Sequence, residues 1–449
     1  MHRQTVAMPD SEVVPSAAAV ARATKPDRDR AVDVARLGAL LVVVFGHCAL
    51  LLATIDAGGV EVGNILGALP ALAPATWVLQ VMPLFFLAGG AAGAYSWQPN
   101  GSMTSWGAWL FTRAQRLCRP VFWYLAVWTL ALIAVQVTMG ADSARALGRE
   151  CVALLWFLGV YLMALAFVPP LTRLPNRAAA TAVVIALVVA SAVMDGVRLA
   201  VGDPAAGTAN LLIVWLIPMV IGVAYARGLT SVRIAVVAAA AAFIVQVLLA
   251  VYGPYDVSLV VTGNERVSNV SPPTLLLALH CTWMSCLFVA TAGAIRRWAA
   301  RPRVWQVVAV GNGGAMTLYL WHIPAIAVAT FTLHAFGLDA FDPHSPGFWG
   351  RLALRAAVFA VVMAVVFRLL SPLEHRPLPW WDARVHPTGI RSIATGVLVW
   401  LAGTAMVVMA NNGLSGVVGW TALGGFLVAV LAARVCAGPA AVAKGVSAH

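Results

Sequence analysis

The chain has 449 residues, of which 61% are hydrophobic and only 10% charged, and its mean hydropathy is +0.87. A soluble domain carries about a quarter charged residues, so a water-soluble globule and a disordered chain are both excluded, and recurring apolar stretches of about 20 residues mark a polytopic membrane protein. A net charge of +12 would suggest nucleic acid in a soluble protein, but cytoplasmic loops of membrane proteins collect Arg and Lys, and no nucleic-acid partner is expected.

Residues 1–29 are polar and charged with no apolar stretch, and read as a disordered cytoplasmic tail rather than a cleaved leader. Twelve spans follow, at 33–55, 75–97, 117–139, 150–171, 178–199, 209–227, 231–252, 274–296, 313–336, 351–371, 390–410 and 416–436. Backbone polar groups must be satisfied inside lipid, so the spans are predicted to be helices and the fold an all-α membrane bundle. With the N-terminus in the cytoplasm, 23 of the 29 basic residues fall inside, while Asp56, Glu61, Glu150, Asp195 and Asp256 fall outside. That asymmetry predicts a multi-pass protein of the cell (inner) membrane with both ends cytoplasmic, 437–449 being the second tail. The six cysteines nearly all lie in apolar segments and form no CxxC pair, so neither a disulfide framework nor a metal site is expected.

Ionisable groups at membrane depth are functional candidates. In the first span Arg36 and His47 are eleven residues apart, which closes three helical turns to within about 20° and separates them by roughly 16 Å. Asp33 stands at i,i+3 from Arg36. Arg36 reads either as part of this face or as a snorkelling anchor; His47 reads either as a general base or as a buried structural histidine. Arg113, Arg116 and Arg119 follow the second span at intervals of three, and such guanidinium forks suit phosphate as well as ordinary inside charge. Tyr319 and His322 share a face in the ninth span beside Pro324, as core or as cavity lining. The small residues of 83–90 read as helix packing.

At these positions the sequence resembles the acyltransferase-3 family of integral-membrane acyltransferases, many of them O-acetyltransferases. The resemblance rests on Asp33–x–x–Arg36 with ten residues before His47, the Phe-Gly run at 83–90, Arg113–x–x–Arg116, and Tyr319-Leu-Trp-His322-x-Pro with Glu374–x–Arg376–Pro377. Where the family often has a serine-tyrosine pair, this chain has Ala315-Met316-Thr317. The resemblance implies a ten-helix acyltransferase domain over 30–386, with 387–436 as two additional transmembrane helices. It also implies acyl-CoA, acetyl-CoA above all, as a cytoplasmic co-substrate with no bound cofactor. Arg36, Arg113, Arg116 and Arg119 are expected to bind the acyl-CoA, with Asp33 supporting Arg36. His47 is expected to be catalytic, as base or as transient acyl carrier, and Tyr319 and His322 to bind the acceptor. The acceptor is expected to be a hydroxyl of a glycan, a cell-envelope component or a glycosylated small molecule. No fused extracytoplasmic esterase-like domain is expected after span twelve, so a separate partner transferase is an alternative route. An Arg-to-Lys ratio of 27 to 2 looks like a GC-rich bacterial genome. The rival reading is a twelve-span secondary transporter, which would show two similar halves; no such symmetry is seen.

Overall fold

A computed structural model describes residue 24 and residues 28–56, 59–97, 105–262, 265–339, 342–414 and 416–438. Most of both predicted tails, and with them Arg22, Lys25 and Lys444, lie outside the described residues. Helix α1 spans Arg30–Leu50, opened by Asp29, whose side chain accepts from the Ala31 amide. A β-hairpin, Leu51–Asp56 paired antiparallel with Gly59–Asn64, follows directly. The first span was predicted to run to residue 55, but its last residues leave the helix as a strand (Leu51-Leu-Ala-Thr-Ile) that includes β-branched Thr54 and Ile55. The fold is otherwise helical.

Helix α2 covers Met82–Ser96, with Pro83 in its first turn, where a missing N–H costs nothing. Helix α3 runs Trp106–Ala153 and continues almost directly into α4, Leu155–Leu165. Then come α5 (Arg177–Val201), α6 (Asn210–Ala226), α7 (Val232–Tyr252), α8 (Leu275–Ala299), α9 (Pro302–Gly313), α10 (Ala315–Ala335), α11 (Phe348–His375), α12 (Gly389–Asn412) and α13 (Gly416–Ala437). Among the described residues eleven helical segments are long and apolar enough to cross a membrane, one of them the 60-residue stretch Trp106–Leu165. At about 1.5 Å per residue that stretch is far longer than one bilayer core. It breaks at Gly140, whose φ of 85° only glycine adopts freely. Beyond the break the chain doubles back, because the Tyr124 hydroxyl donates to the Cys151 carbonyl and Gly148 lies against Leu132. The third and fourth predicted spans are therefore the two arms of one kinked element, which is why eleven such segments stand among the described residues where twelve spans are predicted.

Small residues set the closest approaches. Gly90 of α2 meets the Met219 backbone of α6, and Gly222 of α6 meets the Leu87 backbone. Gly159 of α4 and Gly403 of α12 each face the other's carbonyl, and Gly107 of α3 abuts Ser392 of α12. A Cβ at any of these would collide with main chain, so the helices pack through glycines. Asp195, predicted for an outer loop, is instead buried. It accepts from the Leu275 amide (2.6 Å), the Tyr255 hydroxyl (2.8 Å) and the Asn210 side chain (3.0 Å), tying α5, α6 and α8 together.

Candidate active site

Two histidines far apart in sequence meet inside the bundle. His47 is in the last turn of α1, held there by Arg355 of α11, which donates to the Cys48 carbonyl at 2.6 Å. His322 is in α10, fully buried. Its Nε2 lies 3.2 Å from Nδ1 of His47, and the two rings stack with centroids 5.1 Å apart. His322 Nδ1 lies 2.7 Å from the Tyr319 carbonyl. A carbonyl only accepts, so His322 Nδ1 carries the hydrogen, and in the neutral ring Nε2 keeps its lone pair. That lone pair accepts from His47 Nδ1–H. One backbone carbonyl thus sets both tautomers and leaves His47 Nε2 as an unprotonated nitrogen.

Helix α10 is fixed at its start by Glu374 of α11, whose carboxylate accepts from the Met316 amide (3.3 Å), the Thr317 amide (3.0 Å) and the Thr317 hydroxyl (2.9 Å). A carboxylate satisfying the free N–H groups of a helix start is favoured by hydrogen bonding and by the helix dipole together. Thr317, standing in the altered Ala315-Met316-Thr317 stretch, supplies the hydroxyl for this contact.

His47 opens onto a cavity of about 560 Å³. Tyr319 and Gln80 line it, as do Glu150 of α3, Trp156 of α4 and Asn411 of α12; Leu51, Val62 and Gly63 of the hairpin and Val260, Val261 and Val270 complete the wall. Tyr319 presents its ring there while its hydroxyl is committed to the Leu154 carbonyl. His322 does not line the cavity and stands behind His47. His280 is also occupied, hydrogen-bonded through Nε2 to the Gln80 carbonyl at 2.7 Å. Glu150 and Asn411 were not singled out in the sequence. Glu150 reads there as the edge of a loop, and only the reversal at Gly140 brings it to the cavity that His47 lines.

At the other end of α1 the predicted basic residues separate into two groups. Asp33 is buried and takes a two-pronged hydrogen bond from Arg28, 2.6 and 2.9 Å long, whereas Arg36 approaches it only to 4.0 Å. The expected Asp33–Arg36 pair is therefore loose, and Asp33 raises the pKa of Arg28, chiefly through this hydrogen bond. Arg113 stacks over the Trp109 ring at 3.8 Å and bonds the Trp109 carbonyl and the Ser96 hydroxyl. Arg116 is exposed beside it, and the Tyr161 hydroxyl lies within electrostatic reach of both Arg36 and Arg113. Arg119 points elsewhere, in an ion pair with Asp382 at 3.0 Å. An aromatic layer that includes the cavity-lining Phe85 and Phe157 joins the His47 cavity to Tyr161, near Arg36 and Arg113. Phe157 contacts Phe85, Phe86 and Tyr161 with ring centroids 5.3 to 5.7 Å apart, and the cavity reaches down α1 to Val42 and Val43.

The family model described as an acyltransferase domain, that of the acyltransferase-3 family, matches residues 29–370. It begins at the Asp29 cap of α1 and stops inside α11, before Glu374 and before α12. No curated protein and no solved structure matches the chain.

Proposed function

The chain belongs to the acyltransferase-3 family and is a membrane-bound acyltransferase; on that premise we propose that it transfers an acetyl group from acyl-CoA, bound at a cytoplasmic basic end, to an acceptor hydroxyl in the His47 cavity. The acceptor belongs to a glycan, an envelope component or a glycosylated small molecule. The carrying observation is the His47–His322 pair, which leaves one unprotonated imidazole nitrogen at the edge of a cavity.

Arg36, Arg113 and Arg116 supply positive charge for the CoA phosphates, Arg113 being fixed by Trp109 and Ser96. Arg119, committed to Asp382, braces the 378–384 segment instead. The thioester arm passes along α1 through the Phe157 layer, a climb of roughly 16 Å from Arg36 to His47 on an unbroken helix. His47 Nε2 takes the acceptor hydroxyl proton as the oxygen attacks the thioester carbonyl carbon. The C–S bond then breaks, and the thiolate leaves with the proton held on His47. His322 acts as a positioning residue that keeps the basic nitrogen of His47 toward the acceptor, rather than as an acceptor ligand.

The test is transfer of radiolabel from acetyl-CoA by membranes carrying His47→Ala at matched protein level. General-base catalysis contributes about 10²- to 10⁴-fold, and a loss in that range is expected. Full retention of activity eliminates the proposal.

A further inference from the structure

The polar groups around the His47 cavity fall into two sets. Thr76, Gln80 and Asn64 are spent on backbone: the Thr76 hydroxyl donates to the Ala73 carbonyl and accepts from the Leu259 amide, Gln80 donates to the Leu259 carbonyl, and Asn64 to the Val261 carbonyl. The Glu150 carboxylate and the Asn411 amide, like the Trp156 indole N–H and the Ser271 hydroxyl, line the cavity without a hydrogen bond to any described residue. Among the described residues lining it Glu150 is the one acidic residue, and none is Arg or Lys.

We propose that Glu150 and Asn411 form an acceptor-selecting pair, admitting uncharged hydroxyl compounds to His47 and turning anionic ones away. This rests on the acyl-transfer reading above. A carboxylate accepts hydrogen bonds from acceptor hydroxyls, and an amide both donates and accepts, so together they read a polyhydroxyl face. A site built to hydrogen-bond hydroxyls discriminates strongly, because its groups are left unpaired by the wrong ligand. A second anion in the same partly closed volume meets direct repulsion from Glu150. Asn411 belongs to α12, beyond the residues matched by the family. The penultimate helix is thereby part of the acceptor site, and it packs on α4 through the Gly403–Gly159 contact.

The full chain in nanodiscs is given radiolabelled acetyl-CoA with octyl β-glucoside or octyl β-glucuronide, which differ in one carboxylate. The expected kcat/KM for the glucoside exceeds that for the glucuronide by at least about tenfold. Glu150→Gln brings the two values together, and Asn411→Ala raises KM for the glucoside far more than KM for acetyl-CoA; thermal unfolding confirms that both variants are folded. Equal use of the two glycosides by the unaltered protein overturns the proposal, as does a ratio that Glu150→Gln leaves in place or a glucoside KM that Asn411→Ala leaves in place. CoA release with neither glycoside acetylated also overturns it while sparing the acyl-transfer reading. Absence of any CoA release overturns that reading itself.

Discussion

Arg113 and Arg119 lie six residues apart on one helix and meet different fates. Arg113 is held at an angle by an indole face and a serine hydroxyl, with its guanidinium at the basic end. Arg119 is paired with Asp382, both side chains largely covered. Arg113→Ala should therefore raise the KM for acetyl-CoA by about tenfold, the worth of one charge-assisted contact. Arg119→Ala should leave that KM in place and lower stability by about 2 kcal/mol, as a charged hydrogen bond lost from a covered site does. Steady-state kinetics and thermal unfolding of the two variants separate the roles. The facing of Arg36 and His47 was legible in the sequence because both sit on one uninterrupted helix. The partner of Asp33 was not: Arg28 precedes the helix, where periodicity says nothing, and its two-pronged geometry wins over the i,i+3 contact to Arg36. Glu150 escaped for a related reason, since its position depends on a reversal that begins ten residues earlier.

At the scale of elements, α10 is the part whose placement decides the chemistry, because it carries both Tyr319 and His322. Its first turn is anchored by Glu374 from the far end of α11, and His375 adds a contact to the Gly313 carbonyl at 2.8 Å. Glu374→Ala removes the cap, at about 1 kcal/mol of stability, and lets α10 shift against α1. The expected result is a fall in kcat with little change in KM for acetyl-CoA, with Glu374→Gln, which keeps an accepting oxygen, recovering most of the rate. An equal fall for both variants would show that charge and not capping matters. The Glu374 motif was visible in the sequence through resemblance, but its purpose was not, since a cap joining two helices is a tertiary contact. The β-hairpin was hidden by composition: Leu51-Leu-Ala-Thr-Ile is as apolar as the helix before it, and hydropathy does not distinguish a strand from a span.

For the molecule as a whole, the succession of membrane-length helices was legible because bilayer thickness and apolar run length are tied by simple geometry. What joined the last two helices to the rest was not, because it depends on which glycines face each other. The contacts of Gly403 with Gly159 and of Ser392 with Gly107 place α12 against α3 and α4, with no room for a lipid chain between them. Arg434 of α13 adds a hydrogen bond to the Trp380 carbonyl at 2.7 Å. Deleting 387–438 should therefore leave a bundle with exposed glycine faces and an opened cavity. The prediction is loss of transfer together with aggregation on detergent extraction; a monodisperse, active truncated protein would mean that the two helices are merely appended.

The central claim is that an unprotonated imidazole at position 47, beside a cavity, removes the acceptor proton. Chemical rescue tests it most directly: His47→Gly protein in nanodiscs is assayed for acetyl transfer with increasing free imidazole. The account predicts saturable recovery of activity that rises with the unprotonated fraction of imidazole as pH is raised. Recovery that ignores pH, or a His47→Gly protein as active as the unaltered chain with no imidazole present, would contradict it.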